Sequence, residues 1–121
     1  MKRLLEEKDS ISVVNDQLGS PTYAADLAAA ILKIIEDNEI PKAGIYHYAD
    51  KGVISWFEFA NAIGELICSD CEIKPTDTKS YPTPAKRPAY SVLNTEKIER
   101  QFGLTIPEWR VSLERCIEIM I

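Results

Sequence analysis

The chain has 121 residues, 45% of them hydrophobic, and 19 acidic against 14 basic side chains, for a formal net charge of −5. That composition excludes a disordered chain and suits one small domain with a core of its own. The acidic balance excludes nucleic acid as a main partner, and no apolar run is long enough to span a membrane, since Ala24–Ile35 carries Asp26 and Lys33.

Met1–Lys8 reads as the tail of a helix, with Leu4 and Leu5 among charges. Those charges leave no room for an export signal in Met1–Asp9. Ile11–Val14 is a short apolar strand, and Asn15–Thr22 a polar loop punctuated by Gly19 and Pro21. Ser20 or Thr22 is placed to cap a helix over Tyr23–Asp37, whose apolar stripe is Leu27, Ile31, Ile34 and Ile35. Asn38–Ala43 breaks that helix, Gly44–Tyr48 reads as a strand, and Asp50–Val53 turns on Gly52. Ser55-Trp-Phe-Glu58 is a capping box opening a helix with Trp56, Phe59, Ala60, Ile63 and Ile67 on one face. Glu72–Pro75 is a short extended piece, and Tyr81–Pro88, with three prolines, cannot be regular. Asn94 caps a short helix that Gly103 ends. Pro107 begins the last helix, on which Trp109, Leu113, Cys116 and Met120 recur at helical spacing. The expected fold class is mixed α/β, helix-rich, with too few strands for a complete doubly wound sheet, and 1–121 forms a single domain.

Several chemistries are missing. The five glycines (19, 44, 52, 64 and 103) lie too far apart for a dinucleotide or phosphate loop. No tyrosine is followed four residues later by lysine, the pairing that would lower a phenol's pKa for proton donation. His47, the one histidine, sits between two tyrosines without a nucleophile motif and reads as structural. Three cysteines without an export signal point to a reduced, cytoplasmic setting. Cys68 and Cys71 form a C-x-x-C, but the pair follows a helix, at the wrong end for a stabilised thiolate, so packed thiols are favoured over zinc or redox chemistry.

Two loops stand out. In Val13–Thr22 a strand ends and a helix begins, the place where α/β folds hold ligands. In Pro84–Ser91 a proline-restricted loop projects Lys86 and Arg87 together, and a guanidinium fork suits phosphate. For each loop, a plain connector with solvated side chains is an equally good reading.

The run V-V-N-D-Q-L-G-S-P-T-Y-A-A-D-L-A (Val13–Ala28) resembles the corresponding segment of dTDP-4-dehydrorhamnose reductases. G-I-Y-H-Y-A-D (Gly44–Asp50), S-W-F-E-F-A (Ser55–Ala60), R-P-A-Y-S-V-L-N-T-E-K (Arg87–Lys97) and P-E-W-R-V-S-L (Pro107–Leu113) follow in the family's order. The resemblance implies the C-terminal, substrate-binding portion of an extended short-chain dehydrogenase, with the N-terminal dinucleotide-binding domain absent. Members reduce dTDP-4-dehydro-L-rhamnose to dTDP-L-rhamnose with NADPH or NADH, for cell-surface polysaccharide. Their glycine motif and catalytic Tyr-x-x-x-Lys lie upstream of everything here, so the isolated chain is expected to hold no cofactor and show no reductase activity.

Carried onto this chain, the resemblance puts the Asp16–Thr22 loop at the junction of substrate and cofactor. Asp16, Gln17, Pro21 and Thr22 are its candidate substrate contacts, and Arg87 with Lys86 faces the dTDP pyrophosphate. Some members hold Mg²⁺ through glutamates at a dimer interface, and none of these maps onto this chain. The alternative is a non-catalytic interaction module on the same fold, like the regulatory subunit of methionine adenosyltransferase. Either way, a domain parted from its partner exposes apolar surface and is expected to self-associate.

Overall fold

A computed structural model describes residues 1–36 and 43–120 of the chain. The elements run in the order α1 (Lys2–Glu7), β1 (Ser10–Val14), β2 (Leu18–Gly19), α2 (Ala24–Glu36), β3 (Ile54–Ser55), α3 (Trp56–Leu66), β4 (Glu72–Thr76), α4 (Glu96–Phe102) and α5 (Trp109–Met120). Strand β1 pairs with β4 in parallel, from Ser10 opposite Glu72 to Val14 opposite Thr76. Because β4 lies at a sheet edge, Pro75 is tolerated in it. A second, minimal sheet joins β2 to β3 antiparallel, Leu18 opposite Ser55 and Gly19 opposite Ile54. The described chain is therefore mixed α/β, helix-rich and poor in strands, with no doubly wound sheet. None of its helices is long and apolar enough to cross a membrane.

Local chemistry explains several helix boundaries. Ser55 caps α3: its hydroxyl accepts from the Glu58 amide at 3.1 Å, while the Glu58 carboxylate accepts from the Ser55 amide at 2.7 Å. At the other end of α3, Ser69 N–H reaches Gly64 O and Cys68 N–H reaches Glu65 O, with Cys68 in the left-handed region at φ 52°. Gly103 closes α4 at φ 58°, ψ 34°. The core lies where α1, α3 and α5 meet the larger sheet. Leu5, Ala62, Ile63, Leu113 and Ile117 form its centre, with Ile11, Phe59, Ile73 and Trp109 packed around them. Burying Ile63 or Leu113 contributes on the order of 2 kcal/mol each.

The structure departs from the sequence expectations at several places. Gly44–Tyr48 forms no strand ladder. Its side chains still alternate, Tyr46 and Tyr48 half-buried, Ile45 and His47 exposed, but no described strand lies alongside to share hydrogen bonds. The segment is held by side chains instead: Tyr46 packs edge-on to Phe102 at 5.0 Å, and Lys97 Nζ lies 4.5 Å over the Tyr46 ring while donating to Ile45 O. Trp56 leaves the core face of α3 and is 53% exposed. On α2 most of the leucine–isoleucine stripe faces solvent, with Ile31 48% and Ile35 68% exposed and only Ile34 half-buried, and Ala30 is the buried residue. The end of that helix at Asp37 and the break at 38–42 lie outside the described residues. The α4 cap is displaced by one residue: Thr95 takes the cap position, while Asn94 Oδ1 accepts from the Glu96 amide at 2.9 Å. Helix α5 starts at Trp109, two residues after Pro107, because Glu108 forms a bridge with Lys51. Its buried face runs through Ser112, Leu113 and Ile117, whereas Met120 is exposed.

Candidate functional site

An open cavity of about 610 Å³ lies where β2, β3 and the start of α3 meet the proline-rich loop, a size ordinary for small-ligand sites. Leu18, Ile54, Trp56 and Phe59 make an apolar floor, and Tyr81, Thr83, Arg87 and Pro88 come to it from the loop. The capping box places Trp56 in the first turn of α3, where its indole meets Phe59 edge-on at 6.3 Å, and Phe59 meets Trp109 at 6.1 Å. An exposed indole beside an apolar floor suits a flat ring, and a guanidinium at the rim suits an anion. Among the described lining residues none is Asp, Glu, His, Lys or Cys. This wall offers stacking, apolar contact, neutral hydrogen-bonding groups and one cation.

The two loops singled out from the sequence meet here. Leu18 N–H donates to Ala89 O at 2.8 Å and Ser91 N–H to Leu18 O at 2.9 Å, a short parallel pairing across 73 residues of chain. Gln17, Pro21 and Arg87 line the cavity. Asp16 does not: its carboxylate accepts from the amide and hydroxyl of Thr78, which hold it below the usual carboxylate range. Thr22 and Lys86 are exposed and lie outside the cavity lining. Sequence reasoning missed Trp56, Phe59 and Tyr81. For Trp56 a signal existed, since the residue just after an N-cap begins the helix at its exposed end.

The N-terminus of α2, a ready anion site in principle, is already taken. The Tyr23 amide donates to Asp50 Oδ2 at 2.9 Å, so a carboxylate 27 residues away caps the helix in place of Ser20 or Thr22. Ser20 Oγ donates instead to Gly52 O at 2.7 Å. Asp26 adds a second negative charge in the first turn, where Ser112 and Arg115 donate to it at 2.6 Å. A phosphate would meet like charge here. Burial pushes the Asp50 carboxyl up, opposed by the Tyr23 amide, and Asp26 raises it further. Tyr48 is pushed up to about 12, first by burial and then by Asp50, so its phenol stays protonated. Gly52, at φ +110°, lets this turn pass beneath α5, where any Cβ would run into the Trp109 indole.

Cys68 and Cys71 lie just past the C-terminal end of α3, Cys68 exposed and Cys71 packed against the core. No group of three or more His, Cys, Asp or Glu among the described residues is arranged to hold a metal ion.

Comparison with known proteins places this geometry. The RmlD substrate binding domain matches residues 1–121. The spore coat polysaccharide biosynthesis protein SpsK of Bacillus subtilis is 40% identical over 118 residues, which cover 98% of this chain and 40% of that protein. A dTDP-4-dehydrorhamnose reductase from Clostridium acetobutylicum shares the fold with a TM-score of 0.89 at 38% identity, over 98% of this chain and 41% of that one. The reductase from Bacillus anthracis, solved in complex with NADP, gives 0.87 at 37% identity, again over 98% of this chain and 41% of that one. The chain thus spans about 40% of the length of the relatives it matches. With a match that runs from its first residue to its last, it belongs to the family of RmlD substrate-binding domains.

Proposed function

We propose that the chain supplies the nucleotide-sugar wall of a dTDP-4-dehydrorhamnose reductase, and that the nicotinamide is held by residues outside it. The observation that carries this reading is the cavity, an aromatic and apolar floor with one guanidinium at its rim and no carboxylate, imidazole, amine or thiol among its described lining. A thymidine diphosphate sugar has matching parts: a flat base for the Trp56 face and a diphosphate for Arg87. The residues present do not fit a dinucleotide. No strand leads through closely spaced glycines into a helix, and the α2 N-terminus that follows β1 and β2 is filled by Asp50. The exposed residues of α2, Leu27, Ile31, Leu32 and Ile35, form apolar surface suited to docking against a cofactor-binding half.

The test is dTDP titration of the chain followed by Trp fluorescence, repeated with Arg87→Ala. The expected result is saturable binding that the substitution weakens about tenfold, as for loss of one charge-assisted pair. Unchanged affinity in Arg87→Ala would remove the diphosphate from this rim.

A further inference from the structure

Every residue from Lys79 to Ser91 is exposed, and prolines at 82, 84 and 88 deny the segment a regular ladder. Nothing beneath it holds it by burial. Its two ends nevertheless close on three consecutive residues. At the entry, Asp16 Oδ1 accepts from the Thr78 hydroxyl at 2.7 Å, both Asp16 oxygens accept from the Thr78 amide at 3.0 Å, and Gln17 Nε2 donates to the same hydroxyl at 3.1 Å. At the exit, Leu18 pairs through its backbone with Ala89 and Ser91. The strap between these fastenings brings Tyr81, Thr83, Arg87 and Pro88 to the cavity.

The two fastenings differ in kind. The exit is a main-chain pairing that substitution leaves intact. At the entry the last main-chain bond of the β1–β4 ladder, Asn15 N–H to Thr76 O at 2.9 Å, ends two residues earlier, and Thr78 itself is held by the Asp16 and Gln17 side chains with a charged acceptor, so Asp16 sets how firmly the strap is held beyond the ladder. A strap fixed beforehand costs a ligand less to order than one that must be gathered on binding. We propose that Asp16 is a positioning residue: by clasping Thr78 it holds the Lys79–Pro88 strap, and with it Arg87, at the rim of the cavity without touching the ligand. The proposal rests on the cavity being the nucleotide site.

The experiment uses Asp16→Ala and Thr78→Val in the 121-residue chain, with Thr78→Ser as the conservative variant that keeps hydroxyl and amide. Trypsin reads the strap directly, because it cuts after Lys79 and Lys86 but not between Arg87 and Pro88. The expected result for Asp16→Ala is strap cleavage faster by about tenfold and dTDP affinity weaker by about tenfold, at an unchanged Tm. Thr78→Val shifts both in the same direction, and Thr78→Ser behaves as the wild type. Cleavage that stays at the wild-type rate in Asp16→Ala overturns the clasp. A freely cut strap with dTDP affinity intact overturns the positioning role alone. A wild-type chain that binds no dTDP overturns the reading of the cavity, and the positioning role with it.

Discussion

Asp50 is where burial and charge oppose each other most directly. It is 2% exposed; Oδ2 is held by the Tyr23 amide, and Oδ1 has no hydrogen-bond partner. Burial raises its folded-state pKa above the ordinary 3.8. A raised carboxylate destabilises the fold when ionised, so this contribution is most favourable below the unfolded pKa and worsens as pH rises through the folded one. Glu99 behaves oppositely: Lys51 Nζ, 2.9 Å away, holds its carboxyl below 4.5, and the stability this contributes is lost as pH falls. Asp50→Asn keeps an acceptor for the Tyr23 amide and deletes the buried charge. Thermal melts should show it raising Tm at neutral pH by more than it does near pH 4, and a larger gain at the acid end would contradict the assignment. The Ser55–Glu58 cap was legible because both partners lie within one turn. The Asp50 cap was not, because nothing local tells a turn aspartate that its partner is a helix start 27 residues upstream.

At the scale of elements, α3, β1 and β4 were readable in the sequence, α2 was legible as a helix but not in its surroundings, and the strand expected at Gly44–Tyr48 does not form. Hydrophobic periodicity on α2 says that a face is to be covered; it does not say by what. The alanine side, with Ala30 buried and Ala29 and Ala30 beside Tyr48, Leu104 and Pro107, meets the rest of the chain, and the larger residues point outward. Gly44–Tyr48 alternates as a strand does but forms no ladder with any described strand, for a ladder is a property of two segments and a sequence pattern of one. If the α2 stripe is a docking face, the isolated chain should self-associate through it. Ile31→Lys together with Ile35→Glu should leave stability within about 0.5 kcal/mol, as at exposed positions, while abolishing concentration-dependent association in sedimentation velocity. Association that persists in the double variant would place the contact elsewhere.

At the scale of the whole molecule, the family could be read from five separated motifs, and the shortage of strands from composition and spacing. The two loops chosen from the sequence do converge, through the pairing of Leu18 with Ala89 and Ser91. Their individual residues divide: Gln17, Pro21 and Arg87 face the cavity, whereas Asp16 turns to Thr78, and Thr22 and Lys86 lie outside. Direction of a loop side chain depends on what the fold brings opposite, which explains why the loops were legible and their contacts were not. The aromatic floor escaped notice for a related reason. Trp56 and Phe59 fit a core stripe by spacing, and only the position of β2 and β3 leaves one end of that stripe open.

Calorimetric titration of the purified 121-residue chain with dTDP and, separately, with NADPH bears most directly on the account. Saturable heat with dTDP and none with NADPH is the predicted pair of results. NADPH binding with a single-site isotherm, while dTDP gives no heat, would contradict it.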